Sequence, residues 1–271
     1  MSAKIVSSKT ESTETVDSGT VSSKTVSAET MSAGTMSAGT VSTETVDSGT
    51  ANSETVNNET VNSETANSET EKQQARAVAR SLRKALSPDD RRAKSFLICT
   101  HIVTSMAWAN STAVLLYFGA GSEVDLDGLF HHSKTHRTGD ALAQQTLGAP
   151  IVEGENIRFS NVVTGIDGNP EVRVGEFGLR EPTGEPVNLN NVGLVLVPLL
   201  AFDDRGNRLG SGKGFYDRFL AANPALTTRA TVMGVAFGVQ ELPTIPVERH
   251  DFALHAVVTE QGIRWLKTRS R

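Results

Sequence analysis

The stretch Gly193–Asn223, GLVLVPLLAFDDRGNRLGSGKGFYDRFLAAN, constrains the fold more than any other part of the chain. Val195–Pro198 closes an apolar run that reads as a buried strand and is too short to span a membrane. The loop after it interleaves Asp203, Asp204, Arg205, Arg208 and Lys213 with Gly206, Gly210, Gly212 and Gly214. A helical pattern follows, with Phe215, Phe219 and Leu220 on one face. Strand, glycine-rich loop and helix together bring backbone N–H groups and a helix N-terminus up to a phosphate. Glycine lets the backbone turn tightly and approach a ligand, and Arg208 and Lys213 add full charges that backbone dipoles cannot. The loop is not a Walker A motif. With Gly212-Lys213 as its Gly-Lys pair, the leading glycine would fall at Asn207, and Gly214 stands where Ser or Thr should hold magnesium.

Upstream the composition changes abruptly. Val6–Thr70 is a five-residue repeat, VSSKT, ESTET, VDSGT and onward, thirteen copies each closed by Thr, with no Leu and no aromatic residue. Residues 1–70 carry 3 Lys against 10 acids, a net −7, while the whole chain is −5, so the other 201 residues sit near +2. Such a segment buries too little apolar surface to offset the entropy of ordering, which predicts a disordered tail over residues 1–70. A five-residue β-helix would need a bulky apolar residue at each repeat centre, where this chain has Ser, Ala, Thr or Asn. A glycosylated stalk would need export, and Met1–Ile5 leads into polar repeats without an apolar signal region. The expectation is a cytoplasmic protein. The lone Cys99 agrees with a reducing compartment and falls in an apolar helix face, where it reads as a buried, inert thiol.

The folded part is expected over residues 71–271, enough for one core burying roughly 70% of the unfolded chain's surface. Glu71–Ala85 is rich in helix formers and sets Lys72, Arg76 and Arg80 at i, i+4 and i+8 as one basic stripe. Ser87-Pro88-Asp89-Asp90 opens a second helix with an N-cap, proline and first-turn acids. Phe96, Leu97, Ile102 and Val103 are expected to pack it on a sheet. Thr112–Phe118 reads as the first buried strand, and Glu123-Val124-Asp125 as the opening of the next helix. Strand patterns follow at Pro150–Val152, Ile157–Val163, Thr231–Phe237 and Ala256–Glu260. His131, His132 and His136 lack a Cys or carboxylate at zinc spacing and read as a solvated helix end. The alternation predicts a three-layer α/β domain with a largely parallel sheet and its ligand at the strands' carboxyl ends.

The segment VPLLAFDDRGNRLGSGKGFYDRFL resembles the signature of the 5-formyltetrahydrofolate cyclo-ligase (5,10-methenyltetrahydrofolate synthetase) family: apolar strand, P-G-L-A-F-D, a turn, R-L-G-x-G-x-G-Y-Y-D, helix. Leu199 replaces the usual Gly and Phe215 the first Tyr. The likeness extends over nearly all of Glu71–Arg271. Lys72-Gln73-Gln74-Ala75-Arg76 resembles the family's K-x-x-x-R pair, Phe177-Gly178-Leu179-Arg180-Glu181-Pro182 its Y/F-G-I-x-E-P segment, and His250-Asp251 its closing H/N-D. The resemblance implies a fold akin to the sugar-phosphate isomerase and CoA-transferase group. It implies ATP-binding roles for Lys72, Arg76, Arg208, Leu209, Gly210, Ser211, Gly212, Lys213, Gly214, Phe215 and Tyr216. Folate contacts would come from Phe118, Glu123, Phe177, Ser211, Gly212, Lys213, Gly214 and Phe215, with Lys213 and Arg208 as the catalytic cations.

By the same resemblance Asp217 and Asp251 are magnesium ligands, and two acids suffice where phosphate oxygens and water complete the shell. The activity implied is ATP-dependent cyclisation of 5-formyltetrahydrofolate to 5,10-methenyltetrahydrofolate with release of ADP and phosphate, on a monomer or weak dimer. The alternative is an inactive homologue that binds folate or RNA. A nucleic-acid binder would show a concentrated basic face. Here 23 Lys plus Arg face 21 acids in residues 71–271. Neither nucleic acid nor membrane is an expected partner.

Overall fold

The apolar runs become strands and the periodic segments helices of one layered unit. The computed structural model describes residues 53–132, 145–248 and 251–266, with side chains from residue 69 onward. The expectations for residues 1–52, for His136 and for His250 lie outside the described residues. In chain order the elements are α1 (Ser53–Ala85), α2 (Pro88–Val103), α3 (Met106–Ala109), β1 (Ala113–Leu115), α4 (Gly128–His132), β2 (Thr146–Glu153) and β3 (Asn156–Asn161). There follow β4 (Val172–Val174), β5 (Arg180–Pro182), β6 (Val192–Pro198), β7 (Ala201–Phe202), β8 (Arg208–Leu209), α5 (Phe215–Ala222) and α6 (Pro224–Arg229). The chain continues through β9 (Thr231–Val235), β10 (Ala256–Thr259) and β11 (Gly262–Trp265).

Seven strands form one sheet in the order β11-β10-β9-β6-β1-β2-β3. The pairs from β10 through β9, β6 and β1 to β2 are parallel, and only the edge strands β3 and β11 run antiparallel. Side-chain alternation sorts the core into two layers. Val114, Leu116, Leu194, Leu196 and Met233 pack with Ile98, Ile102, Trp108 and Leu129 of α2, α3 and α4. Ala113, Leu115, Val195, Val197 and Val232 pack with Phe219, Leu220 and Leu226 of α5 and α6. A third, small cluster of Ala79, Leu200, Ala201, Leu209 and Ile245 seats α1 on the β7–β8 hairpin. No helix among the described residues is long and apolar enough to cross a membrane.

Three local expectations change. The last repeats do not stand apart from the fold as a disordered segment, because α1 begins at Ser53 and runs through residue 70 without a break. Those repeats contain no glycine, and a helix already nucleated downstream propagates at one hydrogen bond per residue fixed. In α2, capped by Ser87 as expected, the buried stripe is Ser95, Ile98, Cys99 and Ile102, whereas Phe96 is 72% exposed and Leu97 44%. Helical phase outranks bulk: positions 95, 98, 99 and 102 share one face, and small Ser95 and Cys99 allow a close approach. Cys99 is buried, and that burial pushes its thiol up to about 12, an inert group. Third, Glu123 opens no helix; it lies in the loop before α4.

The turn after β6 is fixed by Gln240, whose side chain is 1% exposed. Its Nε2 donates to the Leu199 and Leu200 carbonyls at 2.9 Å each, and its Oε1 accepts the Phe237 N–H at 2.8 Å. Gln240→Leu would strand all three backbone groups in a dry interior. It is expected to lower unfolding free energy by about 2–4 kcal/mol in urea titration, the cost of orphaned buried polar groups.

Candidate active site

The cleft is assembled where β6 ends. Asp203, fully buried, accepts the Arg205 and Asn207 N–H groups at 3.0 Å through Oδ1 and the Asn207 amide at 2.8 Å and Ile245 N–H at 3.2 Å through Oδ2. That carboxylate is thus a staple that closes the β7–β8 hairpin and aims Arg208 inward. The glycine loop then turns with φ of 103° at Gly212 and 67° at Gly214, backbone that side chains with a Cβ rarely adopt. Gly214 caps α5.

The basic stripe of α1 lies along this loop. Lys72, 6% exposed, pairs with Asp251 at 2.9 Å and Glu248 at 3.0 Å. Burial pulls its ammonium down, but the two carboxylates outweigh it and the net shift is upward. Arg76 donates to the Gly210 carbonyl at 3.4 Å and pairs with Glu69 at 2.8 Å. Arg80, an exposed residue of the same stripe, donates to the Ser211 carbonyl at 3.2 Å. Arg83 extends the stripe to Ser122 Oγ at 3.0 Å and Glu123 at 3.8 Å. Its place in the helical series 72, 76, 80, 83 was the signal for it.

Two chambers share the glycine loop as a wall. The polar one, about 250 Å³, is lined by Lys72, Arg76, Lys213, Asp217, Glu248 and Asp251 among others. The second, about 280 Å³, is lined by Tyr117, Phe118, Phe177, Leu199, Phe215 and Tyr216, with Glu123 at its side. Arg208, Gly210, Lys213, Gly214 and Asp217 face both. Leu209 and Gly212 line only the polar chamber, and Ser211, Phe215 and Tyr216 only the apolar one. α5 starts at Phe215 and turns the Tyr216 ring toward Phe159.

Arg208 is 7% exposed and holds Asp217 at 2.5 Å, while its Nε is buried without a hydrogen-bond partner. The Tyr216 hydroxyl is likewise buried and unpartnered. Lys213, by contrast, is exposed, its ammonium 2.9 Å from the Phe177 ring centroid. Glu123 accepts the Ala120 N–H at 3.1 Å. Burial drives its carboxyl above the usual 4.5, against the pull of that N–H and of Arg83. Arg180, not singled out from the sequence, grips Asp127 through two bonds of 2.7 and 3.0 Å and lies 4.9 Å over the Phe118 ring. Such a set can hold an anion against a flat, mostly apolar molecule.

Because Glu123 has a raised folded-state pKa, its ionisation costs the folded state free energy as pH climbs from 4.5 toward that raised value. Glu123→Gln removes this titration. The variant's melting temperature should match the parent's near pH 4, gain on it as pH rises above 4.5 and hold that gain once pH passes the raised value.

A model of the 5-formyltetrahydrofolate cyclo-ligase family matches residues 68–260. The 5-formyltetrahydrofolate cyclo-ligase of Escherichia coli is 30% identical over 189 residues, 68% of this chain and 97% of that protein. That of Mycolicibacterium smegmatis is 44% identical over 92 residues, 32% of this chain and 46% of its own length. Among solved structures, the 5,10-methenyltetrahydrofolate synthetase of Aquifex aeolicus superposes with a TM-score of 0.59 at 33% identity, over 74% of this chain and 95% of that one.

Proposed function

The chain belongs to the 5-formyltetrahydrofolate cyclo-ligase family, and from that membership we propose that it converts 5-formyltetrahydrofolate and ATP into 5,10-methenyltetrahydrofolate, ADP and phosphate. The observation that carries this reading is the shared wall, one glycine loop facing a charged chamber on one side and an aromatic chamber on the other. A reaction that brings a phosphate donor to a flat, largely apolar acceptor needs such a wall.

The nucleotide phosphates occupy the polar chamber and the pterin the apolar one, between Phe118, Phe177 and Phe215 and beside Glu123. The formyl oxygen attacks the γ-phosphorus, the bond to the bridging oxygen breaks, and ADP leaves. N10 of the folate then attacks the activated carbon and loses its proton, and phosphate departs with the former formyl oxygen. Lys72 and Arg76 hold the nucleotide. Arg208 and Lys213 meet the charge that builds on the transferred group, an interaction stronger in the transition state than before it.

Magnesium suits this chamber as a companion of phosphate. Five basic and four acidic side chains line it, so a bare anion meets a nearly neutral wall whereas a metal-bearing phosphate meets both signs. Asp217 and Asp251 would hold the ion. No group of three metal-binding side chains occurs among the described residues, which leaves the rest of the shell to phosphate oxygens and water, as magnesium prefers. Bound there, it would neutralise phosphate charge.

Purified protein given 5-formyltetrahydrofolate and Mg-ATP should develop the absorbance of the methenyl product, and only with both substrates present. Tight folate binding without product would favour the inactive homologue instead. Lys213→Ala should lower kcat by about 10²–10³, roughly 3–4 kcal/mol of transition-state stabilisation, at an unchanged melting temperature. Parental turnover in that variant would remove Lys213 from the chemistry. Arg208→Ala is a poorer probe, since it leaves Asp217 without its partner.

The first twelve repeats are proposed to be dispensable for turnover. A chain beginning at Ala66 keeps Glu69 with its bond to Arg76 and every cleft residue named above. Its kcat and both KM values should equal those of the full chain, and a loss of turnover in a folded protein would disprove the separation.

A further inference from the structure

Across the cleft from the glycine loop, the β4–β5 hairpin carries Phe177 at its tip and a buried acid, Glu181, in its second strand. Glu181 is 2% exposed. Its Oε1 accepts the Val152 N–H at 2.9 Å, and its Oε2 accepts Arg173 Nη2 at 3.2 Å. β2 runs on past the end of its pairing with β1, at Leu115 opposite Gly148, and the carboxylate takes the Val152 N–H there in place of a strand. One side chain thereby joins β2, β4 and β5.

Gly175 is pressed against the same group. A Cβ at Gly175 would lie 2.0–2.4 Å from the Glu181 carboxylate atoms. Its backbone, φ −97° and ψ −157°, is open to any residue, so space and not conformation demands glycine. Beyond this clamp the chain closes on itself through the Gly175 N–H to the Leu179 carbonyl at 2.8 Å. Phe177 takes φ 58°, a left-handed conformation that an aromatic residue keeps only where its surroundings over-determine it. The ring is 63% exposed, so packing does little to hold it over Lys213. The hairpin backbone does.

We propose that Glu181 is a positioning residue for the apolar chamber. By clamping the β4–β5 hairpin to β2 it sets Phe177 over Lys213 and so fixes the chamber's movable wall. The role in substrate binding rests on the folate reading of that chamber, while the clamp itself does not.

Hydrogen exchange tests the clamp, and calorimetric titration with 5-formyltetrahydrofolate and with Mg-ATP tests its use. Two variants are compared. Glu181→Ala removes the acid, and Gly175→Ala pries the hairpin off it while leaving the acid in place, which answers alone should Glu181→Ala fail to fold. Each should speed exchange of the 172–181 amides by about tenfold or more without changing the central strands. Each should weaken 5-formyltetrahydrofolate binding by about tenfold and leave Mg-ATP binding as it was. Adding Phe177→Ala to either should cost nothing further, since both act through that ring. Unchanged exchange would overturn the clamp. Faster exchange with losses that multiply independently of Phe177→Ala would reduce Glu181 to a fold-holding acid. If the parent chain binds no 5-formyltetrahydrofolate, the folate reading fails, and the exchange data still judge the clamp.

Discussion

Two buried cations decide how this cleft is built. Lys72 and Arg208 sit at 6% and 7% exposure, where an unpaired charge would be costly enough to unmake the site. Each is met by carboxylate from a different part of the chain: Asp251 and Glu248 from the last third for Lys72, Asp217 from α5 for Arg208. Lys72 thereby ties the N-terminal helix to the segment before β10, and Arg208 ties β8 to α5 across the glycine loop. The pairing leaves the polar chamber close to neutral.

The glycine loop has little packing of its own, and its shape is imposed from outside. Asp203 staples the hairpin beneath it, and α1 covers its carbonyls with Arg76 and Arg80. Guanidinium groups of α1 thus engage two of the loop's backbone carbonyls, those of Gly210 and Ser211. The electrostatics of the cleft thus depend on α1 even where α1 touches no ligand. Arg83 carries the same dependence into the apolar chamber through Glu123.

Much of this could be read from the chain alone. The run at β6, the interleaved glycines and cations, and the amphipathic start of α5 each follow local rules, and the structure puts them where those rules say. What escaped was set by tertiary partners. Glu123 looks like a helix-start acid until Arg83 and Ala120 claim it. Tyr216 stands next to Lys213-Gly214 in sequence, yet it faces only the apolar chamber while those two face both. Phe96 and Leu97 misled for a simpler reason, since the α2 stripe beside them is made partly of Ser95 and Cys99, which carry almost no hydrophobic signal.

The continuity of α1 with the repeats has a consequence for how such a gene can vary. The helix is seated on the cleft from Glu69 to Arg83. Repetitive coding sequence gains and loses units by slippage, and here each unit is five residues, about 7.5 Å of helix and a rotation of roughly 140°. A unit added or lost before Glu69 would leave the phase of Lys72, Arg76, Arg80 and Arg83 untouched. A single residue inserted between Lys72 and Arg83 would turn part of that row away from the loop by about 100°. The phase of that row is thus set by the chain from Glu69 onward, whatever the number of repeats before it.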